Sequence, residues 1–324
     1  MFPIEDLQEK ITQSIRQLQV YDEPAGLYEP ISYTLGLGGK RLRPLLALIS
    51  TQMFGGDPDK ALPAAIAIEI FHNFTLLHDD IIDQAPIRRG RETVYKKWNI
   101  NTAILSGDTM FAIAYGELAK SDPDKLSALM KVFTKTAIEV CEGQQYDIDF
   151  EESDDVDING YINMIRLKTA VLLAASLKIG AIIAGVPDED AEKIYNFGEN
   201  LGIAFQLQDD LLDAFGNEAL FGKKTGGDIV SNKRTFLYLK ALECADKDDA
   251  EKLKSLYSNK SQDEDQKIKE VLDIFRRTGI EDFTGKAILE YYNKSMGFLR
   301  ELKLDENALA PLLKLSNGML NRNY

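Results

Sequence analysis

Residues 74–83 of the chain read FTLLHDDIID, and residues 205–213 read FQLQDDLLD. Each stretch ends a run in which apolar residues recur three and four positions apart, which predicts that each motif lies at the end of a helix. At about 100° per residue, Asp79 and Asp83 lie about 40° apart around the helix and Asp80 about 100° from Asp79, so the carboxylates project toward one side. The same spacing recurs in the second stretch at Asp209, Asp210 and Asp213.

Helical periodicity extends well beyond these two motifs. Apolar positions at helical spacing recur over residues 4–18, 61–82, 110–118, 126–146, 162–184, 191–215 and 235–242. Glycine and proline interrupt the pattern between these segments, and no run of alternating β-branched residues with hairpin turns predicts a sheet. We therefore predict an all-α fold. Because no linker rich in Pro, Gly and Ser separates two halves, we expect a single domain over residues 1–324.

The composition limits the class of protein. The net charge of −14 argues against a nucleic-acid partner and against an anionic membrane surface. The most apolar stretch, residues 170–186, is interrupted by Lys178 and is shorter than the ~20 residues of a membrane span, so we expect no transmembrane segment. Residues 1–10 do not resemble a secretory signal, and Cys141 and Cys244 are expected to be buried thiols in a reducing compartment. These features predict a cytoplasmic protein.

The aspartate motifs need a counter-ion. Taken alone, such a motif is most simply a solvated acidic helix end, but apolar neighbours such as Phe74, Leu77 and Leu211 place these aspartates near core-facing surface. Carboxylates this close together repel one another unless a cation neutralises them. Oxygen ligands without cysteine favour magnesium, manganese or calcium, and magnesium usually completes its shell with water and substrate phosphate. We predict that the two aspartate helices face each other and clamp a diphosphate.

Basic residues flank both aspartate motifs. The loop 38–44 reads GGKRLRP, residues 88–91 read RRGR, residues 222–227 read GKKTGG, and Lys168 and Lys233 complete the set. Arginine binds phosphate through two parallel hydrogen bonds, and lysine acts as a point charge. Each basic stretch alone is an ordinary surface feature. Their combination in so acidic a chain indicates a phosphate-bearing substrate.

This ordered set of motifs resembles the trans-isoprenyl diphosphate synthases, the polyprenyl synthetase family, over residues 35–233. The matching motifs are GGKRLRP at 38–44, LLHDDIID at 76–83, RRG at 88–90, Gly107-Asp108, Gly143-Gln144, Lys168-Thr169-Ala170, FQLQDD at 205–210 and Gly222-Lys223. The resemblance implies the isoprenoid synthase fold, which is a helical bundle around a deep central cavity open at the aspartate end. It also implies a homodimer.

Carried over position by position, the resemblance implies a role for each matching residue. The magnesium ions on the allylic diphosphate would be held by Asp79, Asp80, Asp83 and Asp209, with Asp210 and Asp213 completing the metal site. The allylic diphosphate itself would be contacted by Arg88, Lys168, Lys223 and Lys233. Isopentenyl diphosphate would be bound by Lys40, Arg43, His72 and Arg89. Oxygen dipoles near the developing allylic cation would come from Thr169 and Gln206.

The implied reaction is the head-to-tail condensation of isopentenyl diphosphate with an allylic diphosphate to a longer trans-prenyl diphosphate. Several magnesium ions, with manganese as an alternative, would stabilise the departing diphosphate. A dry apolar cavity would protect the allylic cation from water, and loss of one proton would complete the step. Competing interpretations are a terpene cyclase, a His-Asp metal phosphohydrolase suggested by His78-Asp79, and a non-catalytic helical subunit of the same family.

Product length is the least determined part of the prediction. A growing chain would extend back along the first aspartate helix at ~1.5 Å per residue. Thr75 lies one turn below Asp79, Phe74 lies beside Thr75, and Phe71 lies one turn deeper; ordinary core packing is the alternative for Phe74. In the family, an aromatic residue at this position is typical of short-chain members. We expect geranylgeranyl diphosphate ahead of farnesyl diphosphate, and a long-chain polyprenyl product stays open.

Overall fold

The computed structural model describes residues 2–18, 23–153, 155–216, 225–258 and 263–320. Tertiary contacts group the chain into two compact units. Unit 1 comprises Met1–Thr134, Ala175–Glu192 and Leu304–Leu312, and unit 2 comprises Lys135–Ala174, Lys193–Lys303 and Leu313–Tyr324. The expectation of a single domain over residues 1–324 stays a prediction.

Unit 1 is built from helices and one short hairpin. Its elements are α1 (Ile4–Arg16), α2 (Ala25–Gly36), α3 (Leu42–Met53), a 3₁₀ turn (Pro58–Ala61), α4 (Leu62–Ile82), β1 (Ile87–Arg88), β2 (Arg91–Glu92), α5 (Val94–Lys97), α6 (Ile100–Leu118) and the beginning of α7 (Pro123–Glu152). The end of α9 (Val171–Ala184) and the beginnings of α10 (Asp188–Phe215) and α16 (Glu306–Leu320) complete it.

Unit 2 contains the rest of those four helices together with shorter ones. Its other elements are α8 (Ile158–Ile165), a π-helical turn (Arg166–Ala170), α11 (Gly227–Val230), α12 (Phe236–Cys244), α13 (Lys247–Ser258), α14 (Glu264–Arg277) and α15 (Ile280–Glu301). Side-chain caps fix several helix starts. The Asp157 carboxylate accepts from the Gly160 N–H at 2.7 Å at the start of α8, and the Asp263 carboxylate accepts from the Gln266 N–H at 2.9 Å at the start of α14.

Each unit has its own apolar core. In unit 1, α4 packs along α6 and against α3, with fully buried side chains such as Leu45, Ile68 and Phe71 between them. In unit 2, α8, α10, α12, α14 and α15 bury residues such as Leu207 and Phe275. These cores hold the helices whose ends carry the aspartate motifs.

The structure confirms that the fold is all-α and that each aspartate motif lies at the end of a helix. The first aspartate motif ends α4, where the Asp83 N–H still donates to the Asp79 carbonyl at 2.8 Å and Gln84 turns into the left-handed region with φ 51°. The second motif lies in the last two turns of α10. The paired strands β1 and β2 are only two residues long, with Ile87 opposite Glu92. They form the turn that presents the basic residues 88–91.

The prediction that both cysteines are buried was wrong. Cys141 and Cys244 are exposed, because Cys141 lies on an outer face of α7 and Cys244 is the last residue of α12.

Two helical segments bear on the prediction that no part of the chain spans a membrane. Among the described residues, Pro58–Ile82 and Ile158–Ala184 are long and apolar enough to cross a membrane by length and composition. Most of each window is buried inside the protein, 61% and 67%, as in the core helices of globular proteins.

Candidate active site

The first aspartate motif is held by an arginine from the hairpin. Asp80 is only 5% exposed, and its Oδ1 accepts a hydrogen bond from Arg88 Nε at 2.6 Å. Burial raises the pKa of Asp80, and the Arg88 guanidinium opposes that shift. Asp79 is half-buried and Asp83 is exposed at the helix end. Arg88 thus contacts the carboxylate itself, and its predicted role in binding the allylic diphosphate stays a prediction.

A second group of side chains in unit 1 surrounds His72. Arg43 Nη1 lies 3.1 Å from His72 Nε2, and since a guanidinium can only donate, Nε2 is the acceptor. Burial and then Arg43 lower the pKa of His72 well below its usual value, so the ring is neutral. Burial also lowers the pKa of Arg43 to about 10. The buried Nε of Arg43 has no hydrogen-bond partner among the described residues, so it is a donor available to an anion.

A buried carboxylate anchors the basic loop before α3. Glu69 is 2% exposed and accepts hydrogen bonds from the Arg41 guanidinium and, at 2.7 Å, from Asn73 Nδ2. Arg41 also donates to the Leu35 carbonyl at 2.6 Å and adopts the left-handed region with φ 48°. Sequence reasoning missed Glu69. The signal was a charged residue in an otherwise apolar stretch of α4.

The two basic turns of unit 1 lie against each other. The Arg89 guanidinium donates to the Gly38 carbonyl, and a Cβ at Gly39 would lie 2.9 Å from Arg89 Cζ. Gly39 has φ 131°, so glycine is required both by the backbone and by the contact. The contact places Arg89 beside the GGKRLRP loop, as the prediction of a shared anion site for Lys40, Arg43, His72 and Arg89 requires.

The second aspartate motif is bound within unit 2. Asp210 is 4% exposed and accepts hydrogen bonds from the Tyr161 hydroxyl and, at 3.0 Å, from Gln206 Nε2. Burial first, and then the neighbouring Asp228, raise the pKa of Asp210 to about 8. Asp213 Oδ2 accepts from the Asp228 N–H at 2.9 Å. Asp210 and Asp213 are therefore already hydrogen-bonded to other groups of the protein.

A cavity of about 150 Å³ lies beside this motif in unit 2. Its polar lining is Asp147, Glu151, Tyr161, Lys168, Thr169, Gln206, Asp210, Asp228, Lys233, Arg234 and Thr235. Lys168 Nζ forms an ion pair with Asp147 Oδ2 at 2.5 Å, and the Thr169 hydroxyl donates to Gln206 Oε1 at 3.2 Å. The structure thus brings together five predicted residues: Lys168, Thr169, Gln206, Asp210 and Lys233. Lys223 lies outside the described residues.

The sequence reasoning missed several lining residues, among them Asp147, Tyr161 and Asp228. Asp147 follows the Gly143-Gln144 motif by three residues, and Tyr161 precedes Lys168 by two helical turns, so helical spacing could have suggested both. Asp228 could not be found in this way, because it reaches the cavity through a turn. Its pKa is raised to about 6, by burial first and then by Asp213.

The π-helical turn that carries Lys168 and Thr169 is packed between two glycines. A Cβ at Gly143, on α7, would lie 2.7 Å from Lys168 Cα, and one at Gly202, on α10, would lie 2.6 Å from Ala170 Cα. π-helical turns interrupt α-helices at functional sites more often than elsewhere. Here the turn shifts the two side chains out of regular α-helical register while α7 and α10 hold its backbone on both sides.

The predicted chain-length residues lie in an aromatic group in unit 1. The ring of Phe74 is 5.6 Å from that of Phe71, 5.3 Å from that of Phe111 and 4.8 Å from that of His78. The Thr75 hydroxyl donates to the His72 carbonyl at 2.8 Å. Phe71 is buried, whereas Phe74 is partly exposed. Phe111 is a neighbour that the sequence reasoning did not find.

The ligand chemistry of the aspartates fits magnesium. Within the described ranges, no group of three or more His, Cys, Asp or Glu side chains could hold a metal ion by itself. Magnesium is commonly held by one or two protein carboxylates together with water and substrate phosphate oxygens. In unit 1, Asp79, Asp80 and Asp83 supply carboxylate oxygens of this kind, and in unit 2 Asp209 supplies one.

Comparisons with known proteins agree with this chemistry. The polyprenyl synthetase family profile matches residues 24–275. Geranylgeranyl pyrophosphate synthase of Geoglobus acetivorans is 44% identical over 243 residues, which is 74% of this chain and 76% of that relative. A crystal structure of a geranylgeranyl pyrophosphate synthase is 47% identical, with a TM-score of 0.95 and 100% of both chains covered. The geranylgeranyl pyrophosphate synthase of Corynebacterium glutamicum, complexed with isoprenyl diphosphate and magnesium, is 27% identical, with a TM-score of 0.87 and coverage of 99% and 98%.

The packing of Gly143 against the π-helical turn gives a first prediction. Gly143→Ala places a methyl group where Leu167 C and Lys168 Cα would each be 2.7 Å away, so backbone must shift. Overpacking of this kind costs about 1–3 kcal/mol of the free energy of unfolding. Urea unfolding should show a lowered midpoint. The matched control is Gly116→Ala on α6, which has no atom within 4 Å of its Cβ position and should be neutral or slightly stabilising. Equal midpoints for the two variants would contradict the packing argument.

Proposed function

This chain belongs to the polyprenyl synthetase family, and on that premise we propose that it is a trans-prenyltransferase which condenses isopentenyl diphosphate with an allylic diphosphate to give geranylgeranyl diphosphate. The observation that carries the proposal is that a chain of net charge −14 has two aspartate-rich helix ends and also has clusters of arginine and lysine. An acidic protein can hold a diphosphate only where cations are concentrated locally.

We propose that the arginine group of unit 1 binds isopentenyl diphosphate. The supporting observation is the unpartnered buried donor at Arg43 Nε beside a neutral His72. The Arg89 guanidinium, which packs on Gly39, would add positive charge. Lys40, the residue after Gly39, would do the same. The substrate oxygens would satisfy a donor whose burial otherwise costs free energy.

The allylic diphosphate is assigned to the aspartate motifs. We propose that Asp79, Asp80, Asp83 and Asp209 hold magnesium on it, while Asp210 and Asp213 hold neighbouring protein groups. Bound magnesium would neutralise charge on the departing diphosphate. Arg88, Lys168 and Lys233, each now near a carboxylate, would turn to the diphosphate oxygens and stabilise the same charge. Lys223 is assigned there by the family pattern alone.

Carbon–oxygen cleavage leaves an allylic cation and a diphosphate anion. The hydrogen bond from Thr169 to Gln206, and from Gln206 to Asp210, fixes the direction of the Gln206 amide, so its oxygen lies on the Thr169 side. These oxygen dipoles would face the cation. The double bond of isopentenyl diphosphate then forms the new carbon–carbon bond, and the released diphosphate accepts the proton that is lost. No protein nucleophile takes part.

We further propose that the protein is a cytoplasmic homodimer that binds several magnesium ions, with manganese as a substitute, and that it has neither a transmembrane segment nor a nucleic-acid partner. The exposed apolar side chains of α6 support the dimer. Ile100, Ile104 and Leu105 are 52%, 41% and 59% exposed, and such groups of large apolar residues are typical of interfaces.

The proposed reaction is tested with labelled isopentenyl diphosphate and an allylic starter, with and without magnesium. Chromatography should show geranylgeranyl diphosphate only when magnesium is present. Asp79→Ala and Asp209→Ala should each lower turnover by about 10²–10³, the loss that follows removal of an electrostatic group from an active site. Asp282→Ala, at an exposed position in the first turn of α15, is the matched control and should remain active. Full turnover in excess chelator would refute the proposal.

A separate prediction concerns product length. Phe74→Ala removes a ring that is partly exposed and touches Phe71 and Phe111, so it should open space for a longer chain. The products should become longer by one or more isoprene units, at a similar overall rate. Phe283→Ala, which removes an exposed ring on α15, should leave the product distribution unchanged. If both variants give the wild-type distribution, Phe74 is ordinary core packing.

A further inference from the structure

Unit 2 contains a buried lysine to which none of the roles above applies. Lys267, on α14, is only 4% exposed. Its Nζ lies 2.5 Å from Asn232 Oδ1 and 3.4 Å from the Val230 carbonyl oxygen, and 5.4 Å from the centre of the Tyr257 ring. Burial lowers the pKa of Lys267, and the charge of Glu264, one turn earlier on α14, opposes that shift, but no carboxylate of the described residues forms an ion pair with Lys267. Burying an ammonium group on neutral oxygens is costly, so this position is not explained by packing alone.

Both oxygens that Lys267 contacts belong to residues 226–232, the tight turn formed by α11 and the residues on either side of it. After α11, the Asn232 backbone adopts the left-handed region with φ 57°, and the Lys233 N–H donates to the Asp228 carbonyl at 2.9 Å. The ammonium of Lys267 thus binds both the Val230 carbonyl and the side-chain amide oxygen of Asn232. Lys233 follows Asn232 directly in the chain.

The same turn is fastened to the second aspartate motif. The Asp228 N–H donates to Asp213 Oδ2 at 2.9 Å, and the Gly226 N–H donates to the Asp213 carbonyl at 2.7 Å. Lys233 Nζ lies 3.9 Å from Asp228 Oδ1. Asp228 and Lys233 both line the cavity of unit 2. The turn therefore connects α14 to the groups beside the motif.

A second contact from α14 holds the start of this segment. Gly226 has φ 84°, and a Cβ there would lie 2.8 Å from Ile268, the residue after Lys267. Ile268 therefore packs on the backbone of Gly226 while Lys267 binds the end of the turn. Two adjacent residues of α14 fix both ends of residues 226–232.

We propose that Lys267 is a positioning residue for the allylic-diphosphate site. It acts through the turn by fixing Asp228 against the aspartate motif and by directing the ammonium of Lys233 toward the diphosphate. This role rests on the proposed function, because it presumes that Lys233 binds the allylic diphosphate. It gives α14, which contributes no residue to the cavity lining, a defined part in substrate binding.

The first test separates the two substrates. In Lys267→Met the apparent KM for the allylic diphosphate should rise about tenfold, as expected when a binding group is displaced by a fraction of an ångström to an ångström. The KM for isopentenyl diphosphate should stay at the wild-type value. Lys267→Arg, which keeps a cationic donor, should recover most of the affinity. Lys269→Met, at an exposed position two residues along α14, is the matched control and should behave as wild type.

The second test does not use activity. Amide hydrogen exchange of the substrate-free protein should be faster in residues 226–235 of Lys267→Met and unchanged in Lys269→Met. If Lys267→Met does not fold, Lys267→Gln, whose amide still donates, replaces it. An equal rise of both KM values, or a loss of thermal stability with unchanged KM values, would overturn the positioning role. If the wild-type protein makes no prenyl product, the proposed function fails and the substrate part of this proposal fails with it, while the exchange result still shows whether Lys267 holds the turn.

Discussion

The described sites depend on one constraint, which is that a buried charge needs a partner. An unpaired ion in the interior costs several kcal/mol, about the net stability of a domain. The structure answers this locally: Glu69 is bound by Arg41, and Asp80 by Arg88. The largely buried Asp210 instead accepts two hydrogen bonds from neutral groups. Under the proposed function, these cations would already be in place when a diphosphate binds, because they are held beside carboxylates.

Under the proposed function, the same constraint explains how so acidic a chain would bind an anion. Around His72 the charges of Arg41, Arg43, Arg88 and Arg89 all act on the ring and lower its pKa. Such a concentration of guanidinium groups creates a local positive field within a protein of net charge −14. Arginine suits this task because its charge is retained when it is buried, and its donors match the geometry of phosphate oxygens.

Much of the fold and part of the site could be predicted from the sequence. Periodicity located α4 and α10, and helical geometry placed the aspartates at their ends, because both depend on neighbours close in the chain. Glu69 and the packing of Gly143 on the π-helical turn were not predictable, since they depend on contacts between segments distant in sequence. The expectation for Cys141 and Cys244 failed because residue type was used where the helix face decides burial.

Magnesium and the basic residues are proposed to bind the allylic diphosphate together. Isothermal titration calorimetry of the wild-type protein with a thio-linked allylic diphosphate analogue, which ionises too slowly to react, tests it without turnover. Binding should be tight in the presence of magnesium and much weaker in excess chelator, because the aspartates then repel the ligand. Equal affinity with and without magnesium would contradict the proposed role of magnesium.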